Sequence, residues 1–323
     1  GDIGVTGPQG IIGQTGSQGV TGPTGIIGPV GPIAGLDLMY GIGIDGDATV
    51  MSTVTLSRDM YYNNLTVTTS GVLITNGYRV FVKDTLTINN GGTIHCNGDD
   101  GNAGNSGTNP VNGGNGAPNG TLGGGSAGGA SNDTSGSAPY DGSGGISLTY
   151  ATGGGGGDGG TVSEGDGGTG GMLSAIPTAN GGASVYGCIP NIFSGMINGA
   201  FTVFNGGSGG GAGGSTKTGG DTVGGSGGGG GGVIILAARV VDDISGFIQA
   251  NGGDGGNGYD NNNGIPSGGG CGGGGGLVIL ISSTDLTLTS LMITADCGSG
   301  GLGGQGGQAG TSGGNGTVLI VKT

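Results

Sequence analysis

VIILAARVVDDISGFIQANGGDGGNG (residues 233–258) reads as an apolar strand, a polar corner, a second short strand and then a glycine run. The same order recurs in VFVKDTLTINNGGTIHCNGDDGNAG (residues 80–104) and in LVILISSTDLTLTSLMITADCGSGGLGG (residues 277–304). GTVLIVKT at the end of the chain reads as a fourth, truncated copy. Ile94, Ile248 and Ile293 take corresponding places, as do Cys96, Ala250 and Ala295, so Cys96 is expected to be a small inward residue. Units of this size cannot bury an apolar face alone and must stack on their neighbours. The pattern predicts an all-β fold, either a right-handed β-solenoid or a β-sandwich built from the same strands.

Upstream of these copies, residues 53–98 are rich in Thr, Val, Ile and Tyr, with alternation at Leu65 and Val67, Val80 and Val82, Leu86 and Ile88, then Ile94. Over 72–74 the inward set is either Leu73 or Val72 with Ile74. Period-two patterning between NG and GG turns marks short strands. Downstream, glycine runs at about residues 99–171, 205–232, 249–276 and 297–316 separate the strands. Each leads directly into a strand, as in GGGGGGVIIL and GGGGGLVIL. Several structureless loops of that length do not suit a compact domain. Glycine also adopts the polyproline-II conformation, and helices without side chains approach closely enough to pair through backbone N–H and C=O groups, which are costly to bury unpaired. Most of the runs are therefore expected to form packed glycine helices, and the remainder to be disordered.

The first 33 residues follow a different rule. Glycine stands at every third position (Gly1, Gly4, Gly7, Gly10, Gly13, Gly16, Gly19, Gly22, Gly25, Gly28 and Gly31) until Ala34 breaks the period. Only glycine fits the crowded axis where three polyproline-II chains meet, so an unbroken period of three predicts a collagen triple helix and a homotrimer. Pro8, Pro23, Pro29 and Pro32 take the first position after glycine, where a fixed φ suits the extended chain, and Thr6, Thr15, Thr21 and Thr24 take the second. At about 3.1 Å per residue this stalk spans roughly 100 Å. The expected organisation is a collagen-like stalk over 1–33, a neck over 34–52, a β-strand domain over 53–98, a glycine-rich region with short strands over 99–232 and a repeat β/glycine-rich region over 233–323. A start on Gly rather than Met is read as the ordered part of a longer protein with more stalk upstream.

Charge is scarce: 6 basic and 20 acidic residues, for a net charge of −14. With no basic patch, nucleic acid and anionic membrane surfaces are not expected partners. No apolar run reaches the length of a membrane span, so no membrane insertion is expected. Tryptophan is absent and only 13 residues are Phe or Tyr (5 and 8), so stability must come from backbone bonding, stacked aliphatic rungs and trimerisation. The four cysteines, Cys96, Cys188, Cys271 and Cys297, allow three pairings, among which spacing does not choose. His95 and Cys96 are neighbours in a strand and point to opposite faces, which is unsuited to a shared metal.

The stalk GVTGPTGIIGPVGPI, and the block LSRDMYYNNLTVTTSGVLITNGYRVFVKDTLTINNGGTIHCNGDDG followed by glycine-rich text, together resemble the collagen-like, glycine-rich fibre proteins of tailed phages and giant viruses. The glycine-rich part is similar to the tail-fibre tip adhesins of T-even-type phages. The resemblance implies a virion-surface or extracellular fibre and assigns no binding residue.

The sequence holds one histidine and one glutamate, Glu164, which leaves little for a His-based triad. The carboxylate pairs Asp45/Asp47, Asp99/Asp100 and Asp242/Asp243 read as solvated or capping turns rather than a glycosidase pair. No catalytic residue and no cofactor is expected. GGNGYD at Gly255–Asp260 begins a calcium nonapeptide without continuing it, and DGDA at Asp45–Ala48 is equally slight, so Asp45, Asp47 and Asp260 are weak calcium candidates. Receptor contact is expected from residues that interrupt glycine, chiefly Tyr140, Tyr150, Tyr186 and Tyr259. Phe193, Phe201 and Phe204 are also candidates, but GAFTVFNG reads first as a core strand. The expected function is a structural trimeric surface fibre or adhesin of a virion, attaching to a host surface glycan or protein. The alternative is a subunit of a cellular or spore-type extracellular filament that binds its own copies. Ice binding would need a regular Thr or Ala array, which these tracts lack.

Overall fold

The computed structural model describes Gly1, Gly4, Gly7 and residues 39–106, 109–131, 204–215, 222–260, 264–284 and 292–323. The chain divides into two units, Gly1–Ile33 and Ala34–Thr323, at the point where the Gly-X-Y period stops. In the first unit, a Cβ at Gly1, Gly4 or Gly7 would meet nothing within 4 Å inside the single chain. Gly10, Gly13, Gly16, Gly19, Gly22, Gly25, Gly28 and Gly31 lie outside the described residues, as do Tyr140, Tyr150, Tyr186, Cys188, Phe193 and Phe201.

The second unit is built of strands, with a single helical turn at 39–40 among the described residues. Its strands are β1 (Ala48–Val50), β2 (Thr53–Thr55), β3 (Met60–Tyr62), β4 (Leu65–Val67), β5 (Val72–Ile74), β6 (Val80–Ile88), β7 (Thr93–His95), β8 (Val233–Ile244), β9 (Phe247–Gln249), β10 (Leu277–Ser282), β11 (Met292–Thr294) and β12 (Thr317–Lys322). One sheet runs β1-β4-β6-β8-β10-β12, with β3 also paired to β6, and the other runs β11-β9-β7-β5-β2. Every pairing is parallel. Successive passes of the chain therefore lay one strand on each sheet, at the usual spacing of about 4.8 Å. The repeats inferred from sequence are these passes: Ile94, Ile248 and Ile293 stand in one register column.

Between the sheets lies a core of Val80, Val82, Leu86, Ile88, Ile234, Leu236, Val278 and Leu280 against Leu73, Ile94 and Ile248. Leu73, rather than Val72 with Ile74, is the inward residue of β5. Cys96, Ala250 and Ala295 are buried at the strand ends. Each large aliphatic side chain removed from water in this way contributes about 1.5–3 kcal/mol. The larger sheet is also buried on its other face, where Phe81, Val233, Ile235, Ala237, Leu277, Ile279 and Ile281 pack with Tyr40, Leu122 and Phe204. That double burial is why VIIL and LVIL are apolar without alternation. The smaller sheet is buried on one face only, and its strands alternate.

The glycine runs form a second layer, continuous with the strands. Tract 222–232 enters β8, tract 267–276 enters β10 and tract 307–316 enters β12, while 97–105, 251–260 and 296–304 leave β7, β9 and β11. Residues 249–276 thus contribute two tracts, 251–260 and 267–276, not one. Within each tract, every third residue bonds the same neighbour, the period of a polyproline-II turn. Tract 222–232 shows the full pattern. Val223, Ser226 and Gly229 donate to Asn105, Asn102 and Asp99, while Gly225, Gly228 and Gly231 donate to Gly268, Cys271 and Gly274. Gly227 and Gly230 donate to Gly129 and Ser126. Its carbonyls accept from tracts 111–117, 205–215 and 251–260 (Gly114 to Gly227, Gly210 to Gly228, Gly253 to Gly229). Six tracts therefore surround one, three accepting from its N–H groups and three donating N–H groups to its carbonyls. A Cβ at Gly225, Gly227, Gly228, Gly229 or Gly230 would lie closer than 3.0 Å to a neighbouring carbonyl.

Candidate functional site

Six tracts begin or end at a strand, so their far ends, about Asn105, Thr222, Tyr259, Ser267 and Gly304, meet away from the sheets, whereas the 118–122 turn packs back on Gly77 and Tyr78. Those far ends carry polar side chains. Gly104 packs against the backbone of Tyr259, and the Ser267 hydroxyl donates to Tyr259 O at 2.9 Å. Ser267 and Gly304 exchange backbone bonds of 3.0 and 2.8 Å. The following turn places Gln305 and Gly306 at φ 44° and 86° and brings the Gln305 amide onto the Asp260 carboxylate. Thr222 bridges to Ser106 and donates its hydroxyl to Pro266 O at 3.3 Å. Asn105 reaches Asn109 O at 3.3 Å through Nδ2, and its Oδ1 is buried without a partner. Tyr259, Asp260, Gln305, Asn109 and Ser106 thus share one polar surface. Tyr259 is half-buried and is the one sequence-selected tyrosine within the described residues. Phe204 lies in the core, 2% exposed, outside any strand, and residues 201–203 of the expected core strand lie outside the described residues.

The weak calcium candidates are spread apart and engaged elsewhere. Asp45 accepts Arg58 on both oxygens (2.6 and 3.1 Å) and Tyr61 N at 2.7 Å. The Arg58 guanidinium holds the Asp45 carboxyl below the usual range. The amides of Asn64 and Asn63 act likewise on Asp47. Asp260 is taken by Gln305. Among the described residues no three His, Cys, Asp or Glu side chains group as metal ligands.

A second set of polar residues, unmarked in the sequence reading, runs along the outer tracts. Oδ1 of Asn97 and Asp100 accepts the backbone N–H of Asn251 and Asp254, each at 2.8 Å. Oδ1 of Asn251, Asp254 and Asn257 then accepts from Asp296 (2.9 Å), Ser299 (2.7 Å) and Leu302 (2.8 Å). These side chains supply the acceptor that a further glycine tract would have supplied, and they seal the layer's edge. The signal was present as N-G-G-D-G-G-N at 251–257, a spacing of three. Asp99 and Asp100 point to different neighbours, Asn115 and Asp254, so they act as two separate acceptors. Cys96 and Cys271 are buried and Cys297 is half-buried; burial pushes the Cys96 and Cys297 thiols up. No family model, curated protein or solved structure matches this chain.

Proposed function

We propose that this chain is a structural, trimeric surface fibre or adhesin of a virion, its parallel strands the rungs of a β-solenoid and its glycine tracts a bundle of polyproline-II helices. The observation that carries the reading is the fully bonded tract 222–232. A layer whose backbone bonds six neighbouring tracts, and whose interior is glycine apart from small buried side chains such as Ser208, Ala212, Ser226 and Cys271, is a stiff support. It leaves recognition to the residues at its turns. Tyr259, Asp260 and Gln305 project there, a tyrosine among polar groups on a rigid base, which suits contact with a host surface glycan or protein. The eleven Gly-X-Y triplets support assembly from three chains. Sedimentation equilibrium is the test of assembly: a trimer is expected, and a stable monomer at micromolar concentration overturns the reading.

The filament alternative draws support from β12. This six-residue strand pairs β10 on one side and ends the larger sheet, with Val318 40% exposed. An open apolar edge is a template for another chain. Electron microscopy separates the two readings: discrete club-shaped particles favour the fibre, and open-ended polymers favour the filament.

A further inference from the structure

We infer that bonding of the following glycine sorts the Asn-Gly pairs into two chemical classes, and that Asn90, Asn112 and Asn119 are sites of spontaneous deamidation on the folded protein. Asn-Gly is the dipeptide whose backbone most readily attacks its own side chain, because glycine leaves its nitrogen unhindered. In that reaction the deprotonated N of the glycine adds to Asn Cγ and the Cγ–Nδ2 bond breaks. Ammonia leaves, carrying the proton, and a succinimide remains. Water then opens either carbonyl of the ring, giving Asp or isoaspartate. The step needs a glycine N–H free to lose its proton and approach Cγ, and a carboxamide free to turn.

Ten Asn-Gly pairs fall within the described residues. In five, the glycine N–H is held by a backbone carbonyl. Gly98 donates to Asn251 (2.9 Å), Gly206 to Gly124 (2.9 Å), Gly252 to Asp296 (2.9 Å), Gly258 to Leu302 (2.7 Å) and Gly316 to Ala295 (2.7 Å). Asn97, Asn251 and Asn257 are restrained a second time, because their Oδ1 atoms accept backbone N–H groups of the next tract. The other five glycines, Gly77, Gly91, Gly113, Gly116 and Gly120, make no such bond.

The division follows from position in the bundle. Tract 111–117 is an outer one: Val111, Gly114 and Ala117 donate inward, to Ser131, Gly227 and Gly230. Gly113 and Gly116 pack their Cα atoms on Gly128 and Gly125, but their N–H groups take no backbone acceptor, and Asn112 and Asn115 just before them are exposed. Within the free set the carboxamides differ. Asn76 gives Nδ2 to Leu56 O at 3.1 Å beside a buried Gly77, and Asn115 gives Nδ2 to Asp99 at 3.0 Å. The side chains of Asn90, Asn112 and Asn119 are exposed and unbonded. The three unrestrained sites therefore react first, Asn115 and Asn76 more slowly, and the five bonded sites last.

The experiment is incubation of the whole protein at mildly alkaline pH, with peptide mapping by mass spectrometry over days. A parallel sample is kept unfolded in guanidinium. In the folded protein, conversion at Asn90, Asn112 and Asn119 is expected to run at least about tenfold ahead of Asn97, Asn205, Asn251, Asn257 and Asn315, since reaction at the latter first requires a bonded N–H to be released. In guanidinium the ten sites should converge. Equal rates for the two sets in the folded protein overturn the inference. So does an absence of conversion at Asn90, Asn112 and Asn119 while the unfolded control converts.

Discussion

The strand passes and the glycine tracts belong to the same repeat, yet they are held together by opposite means. In a strand pass, side chains carry the stability: Ile94, Ile248 and Leu73 are fully buried between two sheets. The backbone there pairs with two neighbours in one plane. In a glycine tract the side chain has been removed and the backbone pairs in three directions, so tract 222–232 bonds six neighbours. Removing side-chain atoms from the strand layer leaves a hole, whereas adding a side-chain atom to the glycine layer produces a collision. The two layers should therefore respond to substitution with opposite logic.

The sharpest way to break the comparison is a single methyl group in the glycine layer. Gly228→Ala places a Cβ against Gly253 O at less than 3.0 Å, with backbone on every side that cannot yield. We expect a loss of about 5 kcal/mol or more, beyond the ordinary range of point mutants, in urea unfolding. Gly264→Ala is the contrast: its φ is +77° but nothing lies within 4 Å, so only left-handed strain of about 1–2 kcal/mol applies.

Next comes the ion pair that closes the strand layer beside the tracts. Asp59 accepts Arg79 Nε and NH2 at 2.8 and 2.5 Å and Arg79 N at 2.9 Å, with side chains 11% and 9% exposed. Asp59→Ala removes three hydrogen bonds from Arg79, whose side chain is 9% exposed, and should cost about 3–5 kcal/mol. Asp45→Ala breaks a solvent-screened pair, Arg58 being 58% exposed, and should cost much less than Asp59→Ala. Ile248→Ala, read by the same unfolding curves, opens a cavity between the sheets and should cost about 2–5 kcal/mol.

Sequence made the strand layer legible because side chains record it. The column Ile94–Ile248–Ile293 and the inward Cys96, Ala250 and Ala295 could be aligned by eye. The glycine layer could be anticipated only as packed polyproline-II tracts, since glycine carries no pattern that says which tract neighbours which. The pairing of 97–105 with 251–260 and of 251–260 with 296–304 is recorded solely by the Asn and Asp residues at every third position. Two further features were invisible locally. Arg79 and Asp59 are 20 residues apart, and Tyr40 spans the chain to bond Thr323 while lying under Arg239. At the candidate contact surface Tyr259 was read from sequence as a contact residue and Asp260 only as a weak calcium candidate, because Asp260 and Gln305 become neighbours through a turn 45 residues away.

The smallest expected effect is in pH. His95 stands on the outer face of β7, and burial lowers its pKa below the ordinary value of about 6.5. Its Nδ1 is buried without a partner. In the window between the folded and unfolded pKa values the unfolded chain binds more protons, so stability rises with pH through that window and falls as acid takes pH below about 6.5. His95→Gln should flatten this slope in thermal unfolding from pH 5 to 8, roughly the span in which histidine titrates. Asp45, whose pKa is lowered by Arg58, adds a loss that begins only below about pH 4.

Amide hydrogen exchange measures the contrast between the layers directly. If tract 222–232 is saturated by its six neighbours, the amides of Gly225, Gly227, Gly228, Gly229 and Gly230 will exchange as slowly as those of Ile234 and Leu236 in β8, through global unfolding alone. If those glycine amides exchange at the rate of an open chain while β8 stays protected, the glycine layer is not a bonded layer, and the account fails.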